Sequence, residues 1–312
     1  MLAPIVEIFC DIDDFCKAWF KEMSPYLLPS PNCKRQRPCR LSASEIMTVM
    51  ILFHLSHYRT FKDYYRECVE MDMKSYFPEL VSYNRFVEIM SSVVTPLSSY
   101  LLSHMGKKTG LYYVDSTTLK VCHNKRIHRH KTFAGIAERG KSSMGWFFGF
   151  KPHLVINHLG ELIAFCITKG NVDDRQPLEH LFKNLHGLAA ADKGYLSKKK
   201  EESLFQKGVK LITKVRRNMK AKILSTFEKY FLGQRSIVET VIEQLKSICQ
   251  IEHTRHRKPD NFVINLLSGL AAYMLKPRKP SLKIHALDEN LGLLMSKYGC
   301  SISSLFNFYS IK

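Results

Sequence analysis

Two rhythms of apolar residues divide this chain. Up to about residue 108 the apolar positions recur at the spacing of helices, and from Leu111 onward they gather in short runs of the kind that forms strands. Leu41 to Tyr58, LSASEIMTVMILFHLSHY, opens with a Ser42-x-x-Glu45 capping box and is apolar densely enough for the central helix of a bundle. A second helix is predicted from Thr60 to Met71, and a third from near Ser82, after Pro78. HMGKKTG (104–110) reads as a linker. Strands are predicted at 111–116, 146–157, 161–168, 188–192 and 209–215, and helices at 174–185, 197–207 and 236–250. Gly160, with His158 and Leu159, marks a tight turn between the second and third strands. The longest mainly apolar stretch, FVINLLSGLAAYML (262–275), is too short for a typical membrane span and reads as a buried helix.

After the linker the order is three strands, helix, strand, helix, strand, helix. That is the order of a ribonuclease H-like α/β domain: a mixed sheet flanked by helices, here preceded by an all-helical N-terminal domain. The expected divisions are 1–108 for the helical domain, for DNA binding or dimerisation, 109–280 for the ribonuclease H-like core and 281–312 for a tail with no assigned role. The segment 216–234 is too short for an added domain, and the basic, Pro-rich KPRKPSLK from Lys276 marks a boundary.

Three acids stand in settings suited to metal-dependent phosphodiester chemistry. Asp115 ends one apolar run (LYYVD), Asp192 ends another (GLAAAD), and Glu239 lies in the predicted helix RSIVETVIEQLKSI. The two aspartates fall on the first and fourth strands, which are neighbours in such a sheet, so both are expected at one edge. On the helix, Val238, Val241, Ile242, Leu245 and Cys249 share a face; Arg235, Glu239 and Lys246 line its border, and Glu243 lies farther towards solvent. Mg²⁺ takes hard oxygen ligands and keeps several waters, so two or three carboxylates and a substrate phosphate suffice to hold it. Each acid also has a plainer reading: an Asp at a strand end serves as a turn or cap residue, and Arg235–Glu239 as an ordinary i,i+4 pair.

Charge narrows the choice. Lys and Arg outnumber Asp and Glu by 47 to 28, a net +19, and nucleic acid is the commonest partner of such an excess. The N-terminus carries no basic segment before its apolar residues and does not read as a signal peptide. The nine cysteines are scattered, and Cys10/Cys16 and Cys33/Cys39 lack a common zinc spacing; free thiols in a reducing cytosol are expected. Asp173 and Asp174 are expected to cap the helix that follows, KVCHNKRIHRHKTF (120–133) to be a basic loop touching phosphates, HTRHRKP (253–259) likewise, and Trp146 to be core. The third N-terminal helix permits a helix-turn-helix with Asn84, Arg85 and Glu88 exposed, or a plain bundle for packing or dimer contacts.

These residues resemble a family. Arg235, Glu239 and Lys246 in R-SIV-E-TVIEQL-K have the arginine, glutamate and lysine spacing of DDE transposases of bacterial insertion sequences. YYVDST, KSSMGWFFGFKPHLVIN, GNVDDRQPLEHL and AADKGY match in the same order, over about residues 1–280. The family signature often has a tyrosine three positions before the arginine; Leu232 stands there, with Tyr230 nearby. The resemblance implies a ribonuclease H-like core with Asp115, Asp192 and Glu239 as metal-binding catalytic triad, and a helical N-terminal part for end binding. It implies two Mg²⁺ ions, with Mn²⁺ as an alternative, and double-stranded DNA as partner, both terminal inverted repeats and target. It also implies a homodimer when active, in the bacterial cytoplasm with the nucleoid and without membrane. Arg235 and Lys246 are the first candidates for phosphate contacts, Lys193 and Lys151 weaker ones, and Asn84 and Arg85 candidates for reading DNA. A nuclease that cuts without joining, and a non-catalytic DNA-binding relic, are the alternatives.

Overall fold

A computed structural model describes residues 5–26, 39–214, 223–252 and 256–282. In chain order these begin with helices α1 (Ile5–Met23), α2 (Ala43–Leu55), α3 (Phe61–Asp63), α4 (Tyr83–Ile89) and α5 (Val94–Ser103). Strands β1 (Leu111–Ser116), β2 (Leu119–Cys122), β3 (Glu138–Ser142), β4 (Gly145–Asn157) and β5 (Leu162–Lys169) come next. Helix α6 (Leu178–Leu181), β6 (Gly187–Ala191), α7 (Lys198–Gln206) and β7 (Val209–Thr213) precede α8 (Thr226–Gly233), α9 (Ser236–Ser247) and α10 (Pro259–Leu275).

The chain forms two compact units, one running to His104 and including Gln244–Lys276, the other Met105–Glu243 with the segment from Pro277. In the helical unit α2 is central: every residue from Ile46 to Phe53 is buried, and its Ser42–Glu45 capping box is formed as expected. Helix α10 packs on α2 and α5. Twelve of its residues are buried, around the whole helix, so it needs neighbours on every side and finds them among helices, within this unit, where the expected 109–280 division groups it with the sheet. Phe53, Phe61, Tyr64, Tyr65, Tyr83 and Phe86 form an aromatic cluster with centroids 4.9 to 6.3 Å apart. The predicted helix from Thr60 is regular only over α3; Tyr64–Asp72 continues as a π-helix, ended by the i→i−5 bond from Met73 N–H to Cys68 O. The continuous helical run Tyr83–Ser103 is long and apolar enough to cross a membrane by length and composition alone, and its Phe86, Met90, Val93, Leu97 and Tyr100 are buried in this unit.

The second unit is built on a seven-stranded mixed sheet. Its frame runs β5-β4-β1-β6-β7, with β4 antiparallel to both β5 and β1, and β1, β6 and β7 parallel. The element order predicts a ribonuclease H-like fold and leaves the strand order open; this mixed sheet is of that kind. The five predicted strands occur with ends shifted by two residues at most. Asn157 and Gly160 close the β4–β5 turn, where Gly160 at φ 71° donates to the Asn157 carbonyl.

Two strands are additions to the expected set. β4 is 13 residues long, and its first half pairs with β2 and β3. Part of the expected basic loop at 120–133 is therefore strand β2 and a 3-10 turn, Asn124–Arg129. β3, ERGKS, has neither β-branched nor aromatic residues and is made a strand by its partner β4. A Cβ on Gly149 would lie 1.9 Å from the Leu119 carbonyl, so β2 closes on β4 only because a glycine stands there. The helix expected at 174–185 is only the four-residue α6. Asp173 is absorbed in a turn, accepting from the Arg175 backbone N–H and guanidinium, and Asn184 at φ 60° ends the segment. The position before α6 is Pro177, which makes no side-chain cap, so neither Asp173 nor Asp174 caps that helix.

Strand alternation sets the two faces of this sheet. Tyr112, Val114, Ala189 and Ala191 point to one face, into a core with Leu178, Leu181, Phe182, Tyr195 and Leu204. Leu111, Tyr113 and Asp115 therefore point to the other. The segment from 283 to 312, and with it nearly all of the expected tail, lies outside the described residues, as do 215–222, 253–255 and Cys33.

Candidate active site

Asp115 is the fifth residue of β1, and Asp192 directly follows β6. The parallel register pairs Tyr113 with Ala190 and Val114 with Ala191, so the next step brings Asp115 and Asp192 side by side. Both project from the carboxyl ends of adjacent strands, on the face opposite the Tyr112–Val114 core. The register explains why these two acids meet: the last buried residue of each strand is paired, and each is followed by its aspartate.

The third acid arrives by helix. Tyr113, on the same face as Asp115, stacks on Phe231 of α8 at 4.4 Å and donates its hydroxyl to the Phe231 carbonyl at 3.1 Å. This contact fixes α8, whose end leads through Gln234 to Arg235 and α9. Tyr113 thus positions the site without being one of the acids; its place two residues before Asp115 was the available signal. At the position of the family signature's tyrosine, Leu232 is buried, and nearby Tyr230 is exposed.

Arg235 gathers the acids. Its Nη1 donates to Asp115 Oδ2 at 3.2 Å, its Nη2 makes a close ion pair with Glu239 Oε1, and Nη2 lies 3.9 Å from Asp192 Oδ1. The arginine side chain is 17% exposed, against 50% for Asp192 and 55% for Glu239, so the guanidinium is the inner member of the cluster. Asp115 is enclosed to the same degree, at 19% exposed. Burial pushes its carboxyl up to about 6; the Ser116 N–H bond (2.8 Å) and Arg235 pull it down, while Asp192 and Glu239 raise it.

Three carboxylates with neither His nor Cys are a donor set for a hard divalent cation such as Mg²⁺ or Mn²⁺. They already hold one cation between them, the guanidinium, and in that respect they fit. As placed, they face Arg235 rather than a common point. Among the described residues no group of three or more His, Cys, Asp or Glu is disposed to hold a metal ion.

The other expected contact residues fall in several places. Lys193 is exposed and adjoins Asp192. Lys246, beyond Glu239 on α9, belongs to the helical unit, with Nζ 3.3 Å from Glu252. Lys151 lies on the sheet face away from Asp115, 12% exposed, donating to the Val172 carbonyl (2.9 Å) and Asp174 (3.1 Å). Asn84, Arg85 and Glu88 are exposed on α4, and Arg85 pairs with Glu88 at 3.0 Å. Arg85 and Glu88 border an open groove with Arg40, Ser82 and Ser92. Trp146, expected in the core, is 51% exposed at the start of β4, with Arg139 4.7 Å and Lys141 5.8 Å from its ring centroid. All seven described cysteines are free thiols.

Residues 105–259 match the family model described as Transposase DDE domain. Residues 105–259 are thus a DDE transposase domain, of a family of nucleotidyl-transferase-type enzymes. No curated protein sequence matches the chain. A solved structure, the cryo-EM structure of a piggyBac transposase synaptic complex with hairpin DNA, is similar over 98% of this chain and 80% of that one, at 11% identity and a TM-score of 0.43.

Proposed function

We propose that the protein is an insertion-sequence transposase that cleaves DNA strands at its element's ends and joins them to target DNA. The observation that carries this reading is the convergence of Asp115, Asp192 and Glu239 on one side of a ribonuclease H-like sheet, within reach of one guanidinium. Asp115, Asp192 and Glu239 would hold two Mg²⁺ ions, or Mn²⁺. Bound there, such ions acidify a water or a 3′-hydroxyl and stabilise the leaving oxygen.

The remaining roles belong to the chain itself. Asp115 is oriented by the Ser116 amide and kept from bulk water by burial, which strengthens its attraction to any cation that enters. Lys193 and Arg235 hold phosphates of the scissile strand, and Lys246 a phosphate farther along. Asn84 and Arg85 of the helical unit read the terminal inverted repeats. The net charge of +19 draws duplex DNA to both units. Two ends must be brought together for a productive reaction, and a homodimer supplies two sites.

The test is cleavage and joining on labelled duplexes carrying the inverted repeats that flank the gene, with Mg²⁺, with EDTA, and with Asp115→Asn and Asp192→Asn. Metal-dependent nicking with joined product, absent from both variants, supports a transposase. Nicking without joining reduces the reading to a nuclease. Tight binding with no nicking in any metal reduces it to a DNA-binding relic.

A further inference from the structure

Arg235 occupies the space between the three acids. Its guanidinium meets Asp115 and Glu239 directly and stands 3.9 Å from Asp192. A carboxylate oxygen that accepts from a guanidinium has one lone pair fewer to offer a divalent ion. A doubly charged ion among the same oxygens would moreover lie against a fixed positive charge, screened by solvent only on the side of Asp192 and Glu239. An arginine keeps its charge at any working pH, so titration cannot relieve the conflict. Its long side chain springs from the residue just before α9, so side-chain rotation alone can carry the guanidinium away while the helix stays docked.

We propose that Arg235 is a resident counter-ion of the acid cluster: it holds Asp115, Asp192 and Glu239 together in the metal-free protein, and must leave them for a divalent cation to enter. The inference rests on the three acids being the metal ligands. Arginine and metal compete for the same oxygens, and the metal-free site is held closed by its own side chain. The absence of a ready three-donor cluster among the described residues follows from this, because the oxygens are arranged around a planar fork rather than around a point.

The experiment measures Mn²⁺ binding to the full chain without DNA, from the loss of the free-ion electron paramagnetic resonance signal. Wild type is compared with Arg235→Gln, Arg235→Lys and Glu239→Gln. Removing the charge is expected to tighten Mn²⁺ binding by about tenfold, with Arg235→Lys, which keeps a cation there, nearer to wild type. Glu239→Gln is expected to weaken it. Binding by Arg235→Gln equal to or weaker than wild type, with Glu239→Gln still impaired, overturns the competition and leaves Arg235 as a residue that organises the ligands. No Mn²⁺ bound by wild type or either Arg235 variant overturns the metal-site reading, and this inference with it.

Discussion

Asp115 and Arg235 stand 120 residues apart in the chain and are joined by an ion pair of 3.2 Å. That contact couples strand β1 to the start of helix α9, and so fixes the position of Glu239, one turn farther along. Because Asp115 is the most buried of the three acids, this pair is the anchor of the site, and Asp192 and Glu239 are its exposed partners.

Helical geometry separates Glu239 from Glu243. Glu239 meets Arg235, whereas Glu243 lies one turn on and is exposed. Glu239→Gln is expected to reduce strand cleavage by at least about a hundredfold, and Glu243→Gln by no more than about threefold. Cleavage rates on a pre-nicked and an intact end measure both. The reverse ranking would move the third ligand by one turn.

Ionised Asp115 costs the folded protein stability. Its folded value of about 6 lies above its ordinary 3.8, so the folded state binds more protons between those pH values, and stability present below about 3.8 is lost as pH rises through 6. The full effect is on the order of 3 kcal/mol. Asp115→Asn should therefore abolish cleavage yet raise thermal stability without metal, by about 1–2 kcal/mol after loss of the Arg235 pair. A lower melting temperature in calorimetry would mean that the cluster, not burial, dominates at this carboxyl.

Lys151 is an internal tie rather than a surface cation. Lys151→Met leaves Asp174 without its partner and should cost about 1–3 kcal/mol, discounted because Asp174 is 31% exposed. The salt dependence of DNA binding should not change. A slope lowered by about one would instead make Lys151 a phosphate contact.

His54 makes the helical unit sensitive to acid. It is buried, lies 2.5 Å from the Cys249 carbonyl, and burial holds its pKa down at about 4, below the ordinary 6.5. Its neutral form is the one that fits, so its contribution is complete above 6.5 and is lost as pH falls towards 4, roughly 3 kcal/mol in all. Urea melts at about pH 7.5 and about pH 5 should differ by less in His54→Gln than in wild type. An unchanged difference would place the acid sensitivity elsewhere.

Arg85 is exposed, and its pair with Glu88 is solvated, so Arg85→Ala should shift stability by less than about 0.5 kcal/mol. If α4 reads DNA, the same change weakens binding to the inverted repeats more than to unrelated duplex. Equal binding to both by the variant and by wild type would leave these helices to packing.

Much of the frame was legible in the sequence because its causes are local. The Ser42–Glu45 box and the apolar density of α2 marked its start and its central place. The apolar run of β1 led straight to Asp115, and the alanine run of β6 to Asp192. The causes that were not legible lie outside the segments they act on. β3 is a strand through its pairing with β4, and β2 closes through Gly149. Trp146 is exposed at the end of a strand whose later residues are core, which alternation alone could not tell.

The sequence by itself determined the helical and strand segments, the two aspartates at strand ends and the glutamate on a helix border, since each depends on neighbours a few residues away. Only the tertiary structure decided that Arg235 would sit between all three acids, that Lys151 would turn to the other face, and that α10 would join the helical unit. Those outcomes depend on charges and packed faces separated by tens to hundreds of residues. Their partners are chosen by burial and electrostatic contact in three dimensions, which no local pattern encodes.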